Sequence, residues 1–232
     1  MPPNGNSDQG YVDDLYRHLK RTDPSLVLVK LGCSGETTTT MIDGGVCTYP
    51  EGSQLAAAEA FLSAHRPHVR YLTLDIGAND VDGCAPGGAI DLRCVGAGLA
   101  TIATNLHTIL AGLRAADGGF PRSVAMTYYD PFLALWLTGA QGRVAAGMSV
   151  ALLVALNTIE ATGYGAYGFR VADVFGAYRT ADFTPAASGL PVNVQTLCAL
   201  TFMCTLANIH PNPTGYQVIA DAFAAQLWPR RR

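Results

Sequence analysis

Leu74-Asp75-Ile76-Gly77-Ala78-Asn79-Asp80-Val81 is the stretch on which the reading of this chain turns. An apolar run (Val69, Tyr71, Leu72, Leu74, Ile76) ends abruptly in Gly-Ala-Asn-Asp, so a buried strand stops and delivers an amide and a carboxylate at its tip. In open α/β sheets, ligands gather in the crevice beyond the carboxyl ends of the strands. Gly77 lets the backbone turn sharply and approach a ligand closely. Asn79 offers a neutral N–H donor, suited to an oxygen on which negative charge develops. Glycine and asparagine also serve as plain turn residues, so the stretch takes its meaning from what flanks it.

Working outward, Tyr11, Leu15 and Leu19 at four-residue spacing predict an amphipathic helix from about Gln9 to Arg21, ended by Pro24. Ser25 to Leu31 reads as a strand, followed by a loop at Gly32–Thr38 and a helix from about Gly52 to Ala64. After the strand at Val69–Ile76, the Asp82–Cys94 loop leads to a helix from about Val95 to Ala115. Strands follow at Ser123–Tyr129 and Phe169–Val174, with a helix at Gln141–Thr162 between them. Ala177 to Leu206 reads as irregular, a lid or wall over a site, and a helix at Pro213–Leu227 closes the chain. Strands alternating with helices mean a parallel sheet covered on both faces, a three-layer α/β/α fold. Without an internal repeat or linker, residues 1–232 read as a single domain. The series opens on a helix with no strand ahead of it, so a first strand is expected upstream of Met1.

The 232 residues are 49 % apolar and 14 % charged, as in a globular chain, and the net charge of −3 argues against a nucleic-acid surface. Arg230-Arg231-Arg232 reads as a solvated tail. The most apolar stretch, Val144 to Leu156, is too short to cross a bilayer and reads as a buried helix. Six cysteines fall into close pairs: Cys33 with Cys47, Cys84 with Cys94, Cys198 with Cys204. They lack C-x-x-C spacing and nearby histidines, which argues against zinc and against a redox protein. Local disulfides are the preferred reading, chosen on proximity among about 15 possible pairings. Disulfides imply export, although Met1-Pro2-Pro3-Asn4-Gly5 is no secretory leader.

Two further blocks converge with Gly77-x-Asn79-Asp80. The first, Gly32-Cys33-Ser34-Gly35-Glu36-Thr37-Thr38, follows a predicted strand and suits a backbone N–H aimed into a cleft. The other is Asn208-Ile209-His210-Pro211-Asn212, with Thr214-Gly215-Tyr216 leading into the last helix. His210 precedes a proline, which biases it toward an extended loop position where it could act as a base near neutral pH. In this order and on these elements, the blocks resemble the SGNH hydrolase superfamily, the GDSL-type esterases and lipases. The resemblance spans nearly the whole chain and implies a flavodoxin-like fold. It assigns an oxyanion donor to Gly35, another to Asn79 and the catalytic base to His210. The cysteine pattern resembles secreted actinobacterial members.

Two departures from the family pattern stand out. The Gly-Asp-Ser block that carries the nucleophile is absent. Gly5-Asn6-Ser7 lacks a preceding strand, and Ser34 lies where the family uses backbone, so the serine is expected upstream of this chain. The chain as given is then expected to be inactive and insoluble or molten. The family's aspartate three residues before the histidine is Ala207 here, and Asn208 could orient the imidazole through its amide oxygen. Gly77, Tyr129 and Asp130, with Tyr128 and Phe132, are candidate pocket residues; Asp75 and Asp43 read as structural or exposed, and Asp80 as a cap on its own turn. The implied activity is hydrolysis of small-molecule or lipid esters by an extracellular monomer needing no metal or cofactor. An SGNH-like module that binds esters or glycans without catalysis, or the product of a broken gene, is the alternative.

Overall fold

A computed structural model describes residues 8–227. Ser7 and the terminal arginines, with whatever was expected of them, lie outside the described residues. β1 (Tyr71–Leu74), β2 (Arg122–Met126) and β3 (Arg170–Ala172) form a parallel sheet in that order. The register sets Leu72 against Ser123 and Ala125 against Val171. β2 lies at the centre, and its side chains sort by the two-residue period of a strand. Val124 and Met126 pack with Leu15 and Leu19 of α1 (Tyr11–Lys20) and with Ile219 and Phe223 of α9 (Pro213–Leu227). Ala125 faces the opposite core, with Leu62 of α3 (Gln54–His65), Ile102 and Leu106 of α4 (Leu92–Asp117), and Leu156 and Tyr164 of α5 (Ala140–Ala166). The helices therefore cover both faces, as the alternating pattern predicts.

Ser25–Leu31 departs from expectation. It is no strand, although residues 26–30 keep a strand's alternation: Leu26, Leu28 and Lys30 are half-buried, while Val27 and Val29 are exposed by 76 % and 47 %. Extended backbone becomes a strand only by sharing a ladder. Between this segment and β1 lies a cleft of about 1230 Å³, lined by residues of both. β1 is consequently an edge of the sheet.

The Ala177–Leu206 region is also more regular than expected. After α6 (Val174–Ala177), it contains α7 (Val192–Leu200) and α8 (Met203–Leu206). Asn193, fully buried, donates to the Thr180 carbonyl at 3.0 Å and fixes the entry to α7. Val192, Val194 and Thr196 are weak helix formers, so tertiary contacts decide this helix.

The cysteines join as expected, Cys33–Cys47, Cys84–Cys94 and Cys198–Cys204, with Cα separations of 6.1, 5.5 and 5.2 Å. α4 and α5, at 26 and 27 residues, are long and apolar enough by length and composition to cross a membrane; α5 encloses the apolar stretch at Val144–Leu156 and matches the helix expected at Gln141–Thr162 to within four residues. Their buried residues pack on the sheet.

Asn157 of α5 holds the carboxyl end of β2, accepting from Tyr128 N at 2.8 Å and donating to Tyr128 O at 3.0 Å. Asn157→Leu leaves both backbone groups without that partner, a loss of about 1–3 kcal/mol. The melting temperature is expected to fall by roughly 3–10 °C, measured by circular dichroism.

Candidate active site

β1 ends at Leu74, and Gly77, at φ 129°, opens the turn Ala78–Asp80. Glycine is required there twice over: the angle disfavours a side chain, and a Cβ would lie 2.5 Å from Glu160 Oε1. The turn puts Asn79 at its tip. The Asn79 amide donates to the Glu36 carbonyl at 2.8 Å, which uses one of its two N–H groups. Asp80 does not cap its own turn, as the sequence suggested. Instead it reaches across to α2 (Thr38–Asp43), accepting from Thr38 N at 2.8 Å and Thr38 Oγ1 at 2.6 Å. Asn105 of α4 donates to the same Thr38 hydroxyl at 3.1 Å. The first two blocks are thereby clamped together.

Gly35 sits in the turn before α2 at φ 85°. Among the described residues its N–H donates to no protein acceptor. The third block is anchored more elaborately. Helix α8 ends with Ala207 at φ 50°, a left-handed stop that is costly for a residue with a Cβ. After it, the Asn208 amide oxygen accepts from His210 N at 2.9 Å and lies 2.7 Å from His210 Nδ1. A carbonyl-type acceptor fixes the proton on Nδ1 and leaves Nε2 as the basic nitrogen. Tyr129 Oη donates to the Ile209 carbonyl at 2.5 Å, and its ring stacks on Tyr178 with centroids 4.4 Å apart. Asn212 caps α9 through Gly215 N at 3.0 Å and donates to the Ala199 carbonyl at 2.8 Å.

Gly35, Asn79 and His210 line the one cleft beside β1, together with Gly77, Tyr129 and Asp130. Asn208 lies behind His210. Tyr129 and Asp130 are walls whose polar groups are already engaged, rather than free pocket groups. Asp130 accepts from Ser149 Oγ at 2.6 Å and Phe132 N at 2.8 Å, starting the turn Pro131–Thr138, and burial pushes its carboxyl up to about 6.

Sequence reasoning missed the buried acids around this site. Glu36 is 2 % exposed and Glu160 fully buried, and neither carboxylate has a hydrogen-bond partner among the described residues. Burial, reinforced by Asp80 and Asp75, raises Glu160 well above the usual carboxylate range. A signal existed: Leu153, Leu156, Glu160 and Tyr164 follow the helical period on the core side of α5.

The parallel sheet between helix layers, with Gly35, Asn79 and His210 all on the cleft beside β1, defines an open three-layer α/β fold. The GDSL-like lipase/acylhydrolase family matches residues 3–218, and the chain belongs to that family. Similar solved structures include an extracellular lipase from Streptomyces rimosus, 17 % identical over 97 % of this chain and 89 % of that one, with a TM-score of 0.58. An acetyl xylan esterase from Geobacillus stearothermophilus is 17 % identical over 98 % and 87 %, with a TM-score of 0.55. An α/β hydrolase from the metagenome of Lake Arreo, Spain, is 21 % identical over 97 % and 89 %, with a TM-score of 0.55. No curated protein matches the chain.

Glu160 gives a pH signature. Its raised carboxyl favours the folded state fully below the unfolded value near about 4.3, and that advantage is lost as pH rises toward the folded value. Glu160→Gln keeps the shape without the charge. Its melting temperature is expected to exceed the native protein's at pH 7 by at least about 3 °C and to converge with it at pH 4, as read by calorimetry.

Proposed function

We propose that the protein hydrolyses carboxylic esters through a Ser–His acyl-enzyme mechanism, its nucleophilic serine arriving on a segment upstream of the described residues. The observation that carries this reading is the Asn208-oriented His210 on the same cleft as Asn79 and Gly35. In the first half-reaction the serine hydroxyl attacks the ester carbonyl while His210 Nε2 takes its proton. The oxyanion of the tetrahedral intermediate is held by the N–H of Gly35, the free amide N–H of Asn79 and the serine's own N–H. Collapse expels the alcohol, which takes its proton from His210. Water, deprotonated by His210, then releases the acid and restores the serine. The neutral Asn208 fixes the ring tautomer but stabilises the imidazolium less than a carboxylate would.

Disulfides suit an oxidising compartment, and the Streptomyces rimosus enzyme is extracellular; both support export. The substrate is a small-molecule or lipid ester, handled by a single-domain monomer. Among the similar structures are an acetyl xylan esterase and a lipase, so short acyl groups and lipid chains are the two classes to compare.

Asn79→Ala in the upstream-extended protein is expected to lower kcat about 10²–10³-fold, while loss of its bond to the Glu36 carbonyl lowers stability by no more than about 1–3 kcal/mol. A p-nitrophenyl ester series from acetate to palmitate reads both turnover and acyl preference, and unaltered turnover removes Asn79 from the oxyanion site. Asn208→Asp replaces the neutral acceptor with an anion, which favours protonated His210. The acid limb of kcat/KM is therefore expected to move to higher pH while the plateau rate increases.

A further inference from the structure

Helix α8 sets the position of Asn208, and noncovalent packing does little to set the position of α8. It is a single turn of 4 residues, none of them buried. A helix this short is unstable on its own. Its hydrogen bonds among the described residues are local: Met203 N donates to Thr201 Oγ1 at 3.1 Å, and Ala207 N to the Met203 carbonyl at 3.1 Å. It ends on Ala207 at φ 50°, a left-handed conformation that costs free energy rather than supplying it.

Asn208 and His210 are both exposed. Water competes for an exposed hydrogen bond, so the 2.7 Å approach of the Asn208 amide oxygen to His210 Nδ1 persists only where the backbone carries it there. The link from α8 to the core is covalent. Cys204 of α8 joins Cys198 of α7, and Cys198 packs against the buried cluster of Leu133, Val150, Val194 and Leu197. The histidine's own backbone is held by other bonds. Its carbonyl accepts from Phe202 N, the Ile209 carbonyl accepts from Tyr129 Oη, and Asn212 N donates to the Leu200 carbonyl at 2.9 Å. The two partners in the Asn208–His210 contact are thus placed by different devices.

We infer that the Cys198–Cys204 disulfide is a positioning element for His210 that acts through Asn208. It holds α8 against α7 and so keeps the amide oxygen behind Nδ1, where the oxygen fixes the ring tautomer. Cys198 and Cys204 touch neither the reacting atoms nor the imidazole; their effect passes through one hydrogen bond. This inference deepens the hydrolase reading and rests on it for the kinetic consequence alone.

The experiment combines Cys198→Ser with Cys204→Ser in the protein used for the ester series, and sets this pair beside Asn208→Ala and beside all three changes together. NMR of the His210 ring nitrogens reads the tautomer. Without the disulfide the ring is expected to leave the Nδ1–H form for the mixture of an unrestrained imidazole, as in Asn208→Ala, while the protein still melts cooperatively. On p-nitrophenyl acetate kcat is expected to fall about 3–10-fold, the worth of one hydrogen bond, with KM unchanged. The three changes together are expected to lose no more than Asn208→Ala alone, because both routes remove the same contact. Cys84→Ser with Cys94→Ser is the control. It opens a longer ring, with cysteines 10 residues apart rather than 6, so it costs at least as much stability. It is expected to leave the His210 ring signals unchanged. An unaltered tautomer in the Cys198/Cys204 pair, additive losses, or the same change in the control overturns the inference. So does loss of cooperative melting in that pair, which makes the disulfide a staple of the whole fold. A changed tautomer where even the native protein turns over no ester leaves the positioning standing and defeats the hydrolase reading.

Discussion

Thr38 gives both its N–H and its hydroxyl to the Asp80 carboxylate, and the placement of the site follows from that pair of bonds. Thr38 opens α2 and Asp80 ends the turn after β1, so the rest of α2, α3 and β1 lie between them along the chain. Bonds to an ionised acceptor are about twice as strong as neutral ones, and Thr38 is fully buried, which excludes competing water. The clamp brings the turn at Gly35 beside the turn at Gly77. Asn79 can then reach the Glu36 carbonyl, which aims its amide. Asn105 extends the same network into α4, so the longest elements of the fold share in positioning a few atoms of loop.

The histidine loop is fixed by a different device. Among the described residues no carboxylate clamps it; its backbone is held by Tyr129, by Phe202 N to the His210 carbonyl at 3.1 Å, and by the Asn212 cap on α9. Tyr129 in turn is held by its stack on Tyr178. The end of β2 and the start of α9 therefore carry His210 to the cleft. The left-handed turn at Ala207 aims Asn208 at the imidazole.

What could be read from the sequence divides along physical lines. The helices at Tyr11–Lys20 and Gln54–His65 declared themselves because their patterns are local. The turn at Gly77–Asn79 did so because glycine and asparagine have few reasons to end an apolar run. The Asn208–His210 contact spans two residues and was legible for the same reason. The Asp80–Thr38 clamp spans 42 residues and has no local signature, so Asp80 was misread as a cap. Ser25–Leu31 has the composition of a strand, but composition cannot supply the neighbour that a ladder needs. Helix α7 was hidden in the other direction, its β-branched residues held helical by contacts such as Asn193 to Thr180.

Charge is distributed along the cleft in a way that bears on the chemistry. Its lysine and arginine are already paired, Arg70 with Asp23 at the amino end at 3.1 Å and Lys30 with Asp13 toward the other end at 2.5 Å. Its carboxyl end is crowded with acids: Glu36, Asp75, Asp82 and Asp130 line it, and Glu160 lies beneath Gly77. Burial pushes Asp82 and Asp130 up to about 6 and raises Glu160 well above the usual carboxylate range, so each negative charge held there costs the fold stability. On the proposed reading, an oxyanion formed at this end is stabilised by dipoles, those of a backbone N–H and an asparagine amide. A neutral acceptor behind His210 obeys the same constraint. A carboxylate at position 208 would stabilise the imidazolium, but it would add another anion to a region that already holds its acids at a cost.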